Sequence, residues 1–274
     1  MKRKHINKLI LYIFLSIVAI LEITPLLVAL LNSLRTNADI KRVAIGFPTT
    51  FQFENYINAW KIGNYGIAFL NSIIISLVTC AVVLICAIIS GYFLSRIRNK
   101  FSKFLNVYYG VALSISIFSY MIPLYYSFSK LNMINSRITV ILIYIAINLP
   151  FNIILANTFI TGIPKTLDEA AIIDGCSTYQ LIWKIITPLA KPIITTIILI
   201  VFVTTWNEFT VANTFLQLPE AKTAATRYVL FSGQRGSDLS LIYSAGIITM
   251  LPIVLIFILL QNYFIEGMTS GSIK

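Results

Sequence analysis

Six long apolar runs, set between short stretches that carry most of the charge, decide what this chain can fold into. They lie at roughly Leu9–Leu31, Phe69–Leu94, Phe104–Phe128, Ile138–Phe159, Lys191–Phe209 and Leu241–Phe264. A helix needs about 20 mostly apolar residues to cross a hydrocarbon layer, and each run approaches or exceeds that length. Inside such a layer no water is available to pair the backbone, so each segment must satisfy its own N–H and C=O groups, which leaves the helix. The runs therefore predict an all-α integral membrane protein with about six transmembrane helices. Composition agrees: 58% of the 274 residues are hydrophobic and 11% are charged, where a soluble domain carries about 25% charged residues. So few charges cannot cover a water-facing surface.

The net charge of +11 could suggest nucleic acid, but the basic residues fall in the gaps between apolar runs, where membrane proteins keep their anchors. Two gaps hold compact, acid-free clusters: Lys2, Arg3, Lys4 and Lys8, then Arg96, Arg98, Lys100 and Lys103. The other side of the bilayer receives Arg35, Lys41, Arg42, Lys61, Lys130, Arg137, Lys222, Arg227 and Arg235. By the positive-inside rule the compact clusters place both termini in the cytoplasm. The first run is too long for the apolar core of a secretory signal and no clear small-residue cleavage site follows it, so it reads as an uncleaved helix. The chain divides into an N-terminal segment with the first helix and an outer loop (1–68), a transmembrane domain (69–264) and a cytoplasmic tail (265–274). In the outer loop Phe53, Tyr56 and Trp60 suit an interfacial anchor.

Cys80, Cys86 and Cys176 show no CxxC spacing, and the single histidine, His5, lies in the N-terminal basic cluster. Neither a metal site nor a His-based catalytic site can be built in the membrane from these residues. No GxxxxGK[ST] phosphate loop is present, so this chain does not bind ATP through that motif.

The most informative stretch is the inner connection between the fourth and fifth runs, 160–190. In it Thr166 and Glu169 have capping-box spacing, and Asp168 with Glu169 suits the positive end of a helix dipole. Gly175 can take the left-handed conformation that closes a helix. Ser177 and Gln180 offer a second capping box, opening a helix through Ile186, and Pro188 and Pro192 mark entry to the next span. The string predicts a helix–turn–helix on the cytoplasmic side, with Ala170 and Ala171 small enough for another surface to approach.

Glu169-Ala170-Ala171, Asp174-Gly175, Ile185 and Pro188 together resemble the EAA loop of ABC importer permeases. Further strings extend the resemblance over most of the chain, toward the shorter permease subunit of maltose-type carbohydrate importers. They are Phe53-Glu54-Asn55-Tyr56, Asn71-Ser72, Gly91-Tyr92-Phe93-Leu94-Ser95-Arg96, Ile122-Pro123-Leu124-Tyr125, Leu149-Pro150-Phe151, Trp206-Asn207-Glu208-Phe209 and the tail from Glu266 to Lys274. Cys176 and Thr187 depart from the family pattern. The resemblance implies a non-enzymatic permease subunit in a bacterial cell membrane, forming half of a sugar pathway. Its expected partners are a second permease subunit, two cytoplasmic ATPases that bind ATP and magnesium, and an extracytoplasmic solute-binding protein. Glu169, Ala170, Ala171, Asp174, Gly175, Ile185 and Pro188 would then couple to an ATPase.

Pathway residues are less sharply marked. Trp206, Asn207 and Glu208 offer the aromatic surface and hydrogen-bonding groups that a sugar needs, although Glu208 could equally hold helices together. Glu22, deep in the first run, is costly unless paired or facing water; it could polarise the pathway, but a satisfied structural contact is the favoured reading. Asn148 could pair backbone freed by Pro150. Tyr108, Tyr109, Tyr120, Tyr125 and Tyr126 suit belt or packing positions. A secondary carrier driven by an ion gradient is the rival function; it would call for more mid-membrane ionisable groups and an inverted repeat.

Overall fold

A computed structural model of the chain describes residues 2–97, 99–232 and 238–270, together with their side chains except at 2–7, 232, 260 and 262–270. Arg98, Arg235 and tail residues 271–274 lie outside the described residues, as do the side chains of Lys2, Arg3, Lys4, His5 and the tail from Glu266 to Ser270.

Among the described residues the regular structure is helical throughout. In chain order the helices are α1 (Lys2–Ser33), α2 (Asn37–Arg42), α3 (Glu54–Gly63), α4 (Tyr65–Arg96), α5 (Lys100–Ser114), α6 (Ile117–Lys130), α7 (Arg137–Thr161) and α8 (Thr166–Ile173). There follow α9 (Thr178–Gln180), a π-helical turn (Leu181–Ile186), α10 (Thr187–Leu189), α11 (Lys191–Asn207), α12 (Thr210–Phe215), α13 (Ala224–Ser232) and α14 (Leu239–Ser270). Among the described residues, four helices are long and apolar enough to cross a membrane, or up to six if two bent pairs each count as one span.

The third apolar run is one of those pairs. It is not a single rod: α5 and α6 meet at 92°. Ile115 and Ser116 adopt extended backbone between them, with ψ of 116° and 139°. Hydropathy measures how apolar a stretch is and carries no information about such a corner. The second pair, Thr178–Leu189 with α11, bends by 82°.

The chain forms two compact units, Met1–Gly66 with Arg227–Leu251, and Ile67–Thr226 with Pro252–Lys274. In the first, α1 is uncovered over its most apolar window, 0% of which is buried. Among its described side chains, those at its C-terminal end are the ones tied down. The Asn55 amide donates to the Ser33 and Arg35 carbonyls, both at 3.0 Å, and the Ser33 and Tyr56 hydroxyls are 2.6 Å apart. Asn55 thus satisfies one carbonyl that the end of α1 leaves without a partner, at Ser33, and one in the turn that follows. Of the proposed interfacial aromatics, Phe53 and Trp60 are exposed, whereas Tyr56 makes this internal bond.

In the second unit, Asn71 is buried and donates to the Glu220 and Lys222 carbonyls at 2.8 and 2.9 Å, while the Ser72 hydroxyl accepts from Ala224 N–H at 2.9 Å. Two adjacent polar residues in an apolar helix therefore fasten the segment before α13. The core of this unit packs Ile75, Val140, Tyr144, Val211, Phe215 and Leu216 together. Asn148 turns out to bond the Tyr144 carbonyl (2.9 Å) rather than the Ala146 carbonyl that Pro150 leaves without its usual donor, and its oxygen accepts from Thr204 (3.0 Å).

Candidate functional site: the loop between α7 and α11

The first loop helix, α8, begins earlier than a Thr166 cap requires. Lys165 already has helical backbone and Leu167 N–H bonds back to the Pro164 carbonyl. The fixed φ of Pro164 suits the first turn of a helix, so Thr166 falls inside that turn. No side chain caps α8, and the expected Thr166–Glu169 capping box is absent. Asp168 and Glu169 do occupy the first turn, where negative charge is favourable.

The other end of α8 closes as expected. Gly175 has φ of 81°, Cys176 N–H bonds the Ala171 carbonyl at 2.9 Å and Gly175 N–H bonds the Ile172 carbonyl at 3.0 Å. This pair of bonds is a Schellman closure, which needs the left-handed residue that glycine supplies without strain. Two residues on, the second capping box is complete: Gln180 N–H to Ser177 Oγ at 3.3 Å and Ser177 N–H to Gln180 Oε1 at 3.0 Å.

Beyond it the expected α-helix is widened into a π turn over Leu181–Ile186, with Thr187 N–H bonding the Ile182 carbonyl five residues back. Pro188 explains the widening. Its ring excludes the carbonyl four residues earlier and it has no N–H to give, so the turn before it opens. The Thr187 hydroxyl also donates to the Ile182 carbonyl, at 2.8 Å.

The loop presents two faces. Asp168 and Ala171, three residues apart, are buried. Glu169, Ala170, Asp174, Gly175 and Pro188 are exposed, and Ile185 is half-buried. Large apolar side chains stand outward as well: Ile172 is 64% exposed, Ile173 84% and Tyr179 72%. Inward, Asp168 receives Arg96 from the end of α4, at 2.7 Å between Nε and Oδ2. Sequence reasoning assigned Asp168 to the helix dipole and missed this pairing. The available signal was a basic residue closing an apolar run that must find an anion or a carbonyl when buried.

The second set of expected site residues lies at the end of α11. Trp206 is only 1% exposed. It packs edge-on to Phe69 with centroids 5.4 Å apart and stacks on Phe202 at 5.6 Å. Asn207 is exposed. Glu208 receives the Tyr144 hydroxyl at 2.6 Å, Val211 N–H at 2.9 and 3.1 Å, and Ala212 N–H at 3.1 Å. The carboxylate therefore caps the start of α12, where amides lack helical partners. Glu22 is exposed on the uncovered α1. Glu22 belongs to the first compact unit and the α11 residues to the second. Among the described residues no three of His, Cys, Asp and Glu gather to hold a metal.

Comparison with known proteins gives this geometry a family. Residues 83–270 match the family described as binding-protein-dependent transport system inner membrane component. The melibiose/raffinose/stachyose import permease protein MelC of Bacillus subtilis (strain 168) is 34% identical over 263 residues, covering 94% of this chain and 94% of that protein. The probable ABC transporter permease protein YurM of the same organism is 30% identical over 275 residues, covering 100% of this chain and 91% of that protein. A crystal structure of a bacterial ABC transporter involved in the import of the acidic polysaccharide alginate has a chain of the same fold. Its TM-score is 0.78 at 22% identity, covering 96% of this chain and 98% of that chain. A multi-pass helical chain with this loop and these relatives belongs to the binding-protein-dependent transport system inner membrane components.

Proposed function

We propose that this chain forms half of the membrane pathway of an ATP-driven importer of sugars or oligosaccharides, and docks a separate ATPase through the loop built on α8 and α9. The observation that carries the docking is the loop's outward face, where Ile172, Ile173 and Tyr179 stand exposed beside Glu169 and Ala170. Exposed apolar clusters of this kind mark contact surfaces. The carbohydrate class rests on relatives such as MelC and a starch degradation products permease protein, AmyC, of Thermoanaerobacterium thermosulfurigenes. A second permease, two ATPases carrying ATP and magnesium, and an extracytoplasmic binding protein complete the assembly. Closure of the ATPases displaces the docked loop, and the spans shift between inward- and outward-facing populations according to the contacts each state makes. Both termini and the loop face the cytoplasm in this reading, which the compact basic clusters support. Of Trp206, Asn207 and Glu208, only Asn207 is exposed and so free to meet a sugar, while Glu208 caps the start of α12. The rival carrier mechanism needs ionisable groups that exchange protons or ions in mid-membrane, and the Glu208 carboxylate is already engaged by three residues of its own chain.

Docking and orientation share one test. Cys176 is half-buried beside the Gly175 turn, whereas Cys80 and Cys86 lie within α4. An impermeant maleimide is expected to label Cys176 from the cytoplasmic side of vesicles holding this chain alone. Adding the ATPase is expected to shield it. Labelling from the opposite side would reverse the orientation, and labelling indifferent to the ATPase would move docking elsewhere. The carbohydrate assignment is tested by uptake of labelled raffinose and maltotriose in cells with and without this chain. Uptake of at least one is expected to depend on it, and uptake of both unaffected by its loss would count against that assignment.

A further inference from the structure

The string Gly91-Tyr92-Phe93-Leu94-Ser95-Arg96 acquires a physical meaning at the inner end of α4. A Cβ added at Gly91 would meet Ala156 Cβ and Asn157 N at 2.8 Å each, so α4 and α7 approach nearly backbone to backbone there. Five residues on, Arg96 ties the end of α4 to α7, to α8 and to the turn between them. Its Nε and Nη2 donate to the two oxygens of Asp168 at 2.7 and 3.1 Å. Its Nη1 reaches the carbonyls of Ile160, at the end of α7, and Ile163 at 3.3 and 3.2 Å. The Tyr92 hydroxyl donates to Asp168 Oδ2, the oxygen that also accepts from Arg96 Nε, at 3.1 Å, and the guanidinium lies 5.8 Å from the Tyr92 ring centroid. The Arg96 and Asp168 side chains are each only 10% exposed. A two-pronged arginine–carboxylate bond fixes orientation as well as distance, which a point charge cannot do.

We propose that Arg96, Asp168 and Tyr92 form the joint that makes α8 one rigid body with the inner ends of α4 and α7, so that displacement of the loop passes directly to those two spans. This rests on the docking reading above. On it, the outward face of α8 meets the ATPase while the opposite face, carrying Asp168 and Ala171, is bolted to the pore. Arg96 and Asp168 are positioning residues: they touch neither nucleotide nor sugar, and their effect is to convert ATPase movement into span movement.

The complete importer complex in lipid nanodiscs, with Cys80, Cys86 and Cys176 replaced by serine, carries spin labels on Lys165→Cys and Leu77→Cys. Both are exposed positions, one preceding α8 and one mid-way along α4. The distance between them is measured without nucleotide and after trapping with ATP and vanadate. In the otherwise unaltered complex it is expected to stay the same in both states. In Arg96→Gln and Asp168→Asn the ATPase is expected to remain bound and hydrolyse ATP, while trapping produces a second, shifted distance population. Arg96→Lys, which keeps charge and loses the fork, should show a smaller second population. Should Arg96→Gln fail to insert, Tyr92→Phe decides, because it removes one hydroxyl and is expected to broaden the trapped distance. A distance that already changes in the unaltered complex, or variants whose distances match it in both states, would overturn the joint. Loss of bound ATPase in the Arg96 and Asp168 variants would also overturn it, since the pair would then serve docking and not transmission. A complex that never retains an ATPase would instead sink the docking reading itself.

Discussion

Replacing Gly175 with valine is expected to leave membrane insertion near normal and to abolish most ATPase co-purification and sugar uptake. The residue sits at φ of 81° in an otherwise open space, with nothing within 4 Å of the point where a Cβ would stand, so backbone strain and not a clash is the penalty. Holding a non-glycine residue in such a region costs about 1–3 kcal/mol, and a β-branched residue falls at the upper end. If that strain is relieved by re-aiming α8, the docking geometry becomes roughly 5- to 150-fold less populated. Gly175→Asn is the control, because asparagine tolerates the left-handed region and should retain most activity. Glu169→Lys should also weaken docking. It does so at the exposed surface and by opposing the helix dipole, not by uncapping α8, since Glu169 takes no part in a cap. The measurement is ATPase co-purification and uptake, each normalised to permease in the membrane. Full values in both Gly175→Val and Glu169→Lys would remove the loop from the coupling role.

Truncating Glu208 to alanine is expected to lower the thermal unfolding midpoint of the detergent-solubilised chain by several degrees and to reduce its level in the membrane. The change strands the buried Tyr144 hydroxyl and two amides at the start of α12. Hydrogen bonds to a charged group contribute about 1.5–3 kcal/mol each, and stranded buried donors add to the loss. Glu208→Gln keeps one acceptor oxygen and should fall between wild type and alanine. The midpoint, followed by tryptophan fluorescence, separates a cap from a sugar contact. A glutamine variant that loses uptake at an unchanged midpoint would make Glu208 a pathway residue.

These two sites also show which parts of the molecule could be read from the chain. A long apolar run has one backbone solution in lipid, so the spans were visible in composition alone. The corner at Ile115–Ser116 was not, because it changes direction without changing hydropathy. Local signals succeeded where one residue decides the outcome: glycine at 175, and the Ser177–Gln180 box. The Thr166–Glu169 box had equally good spacing and failed because Pro164 starts the helix sooner. Neither the π turn nor the Glu208 cap could be assigned from residue identities, since each depends on how a neighbouring turn closes. Arg96 and Asp168 stand 72 residues apart, and no local pattern announces a partner at that distance.

The uncovered first helix carries a last consequence. Its apolar stretch, Lys8–Ser33, runs for 26 residues, a rise of about 39 Å at 1.5 Å per residue. The hydrocarbon layer it must cross is about 30 Å thick. Among the described residues the ties to the rest of its unit lie at its C-terminal end, so the surplus length is taken up by tilt or by turns standing among the lipid head groups. Lipids with longer or shorter acyl chains therefore change the inclination of α1 first, and the rest of its unit feels that change through Ser33, Asn55 and Tyr56.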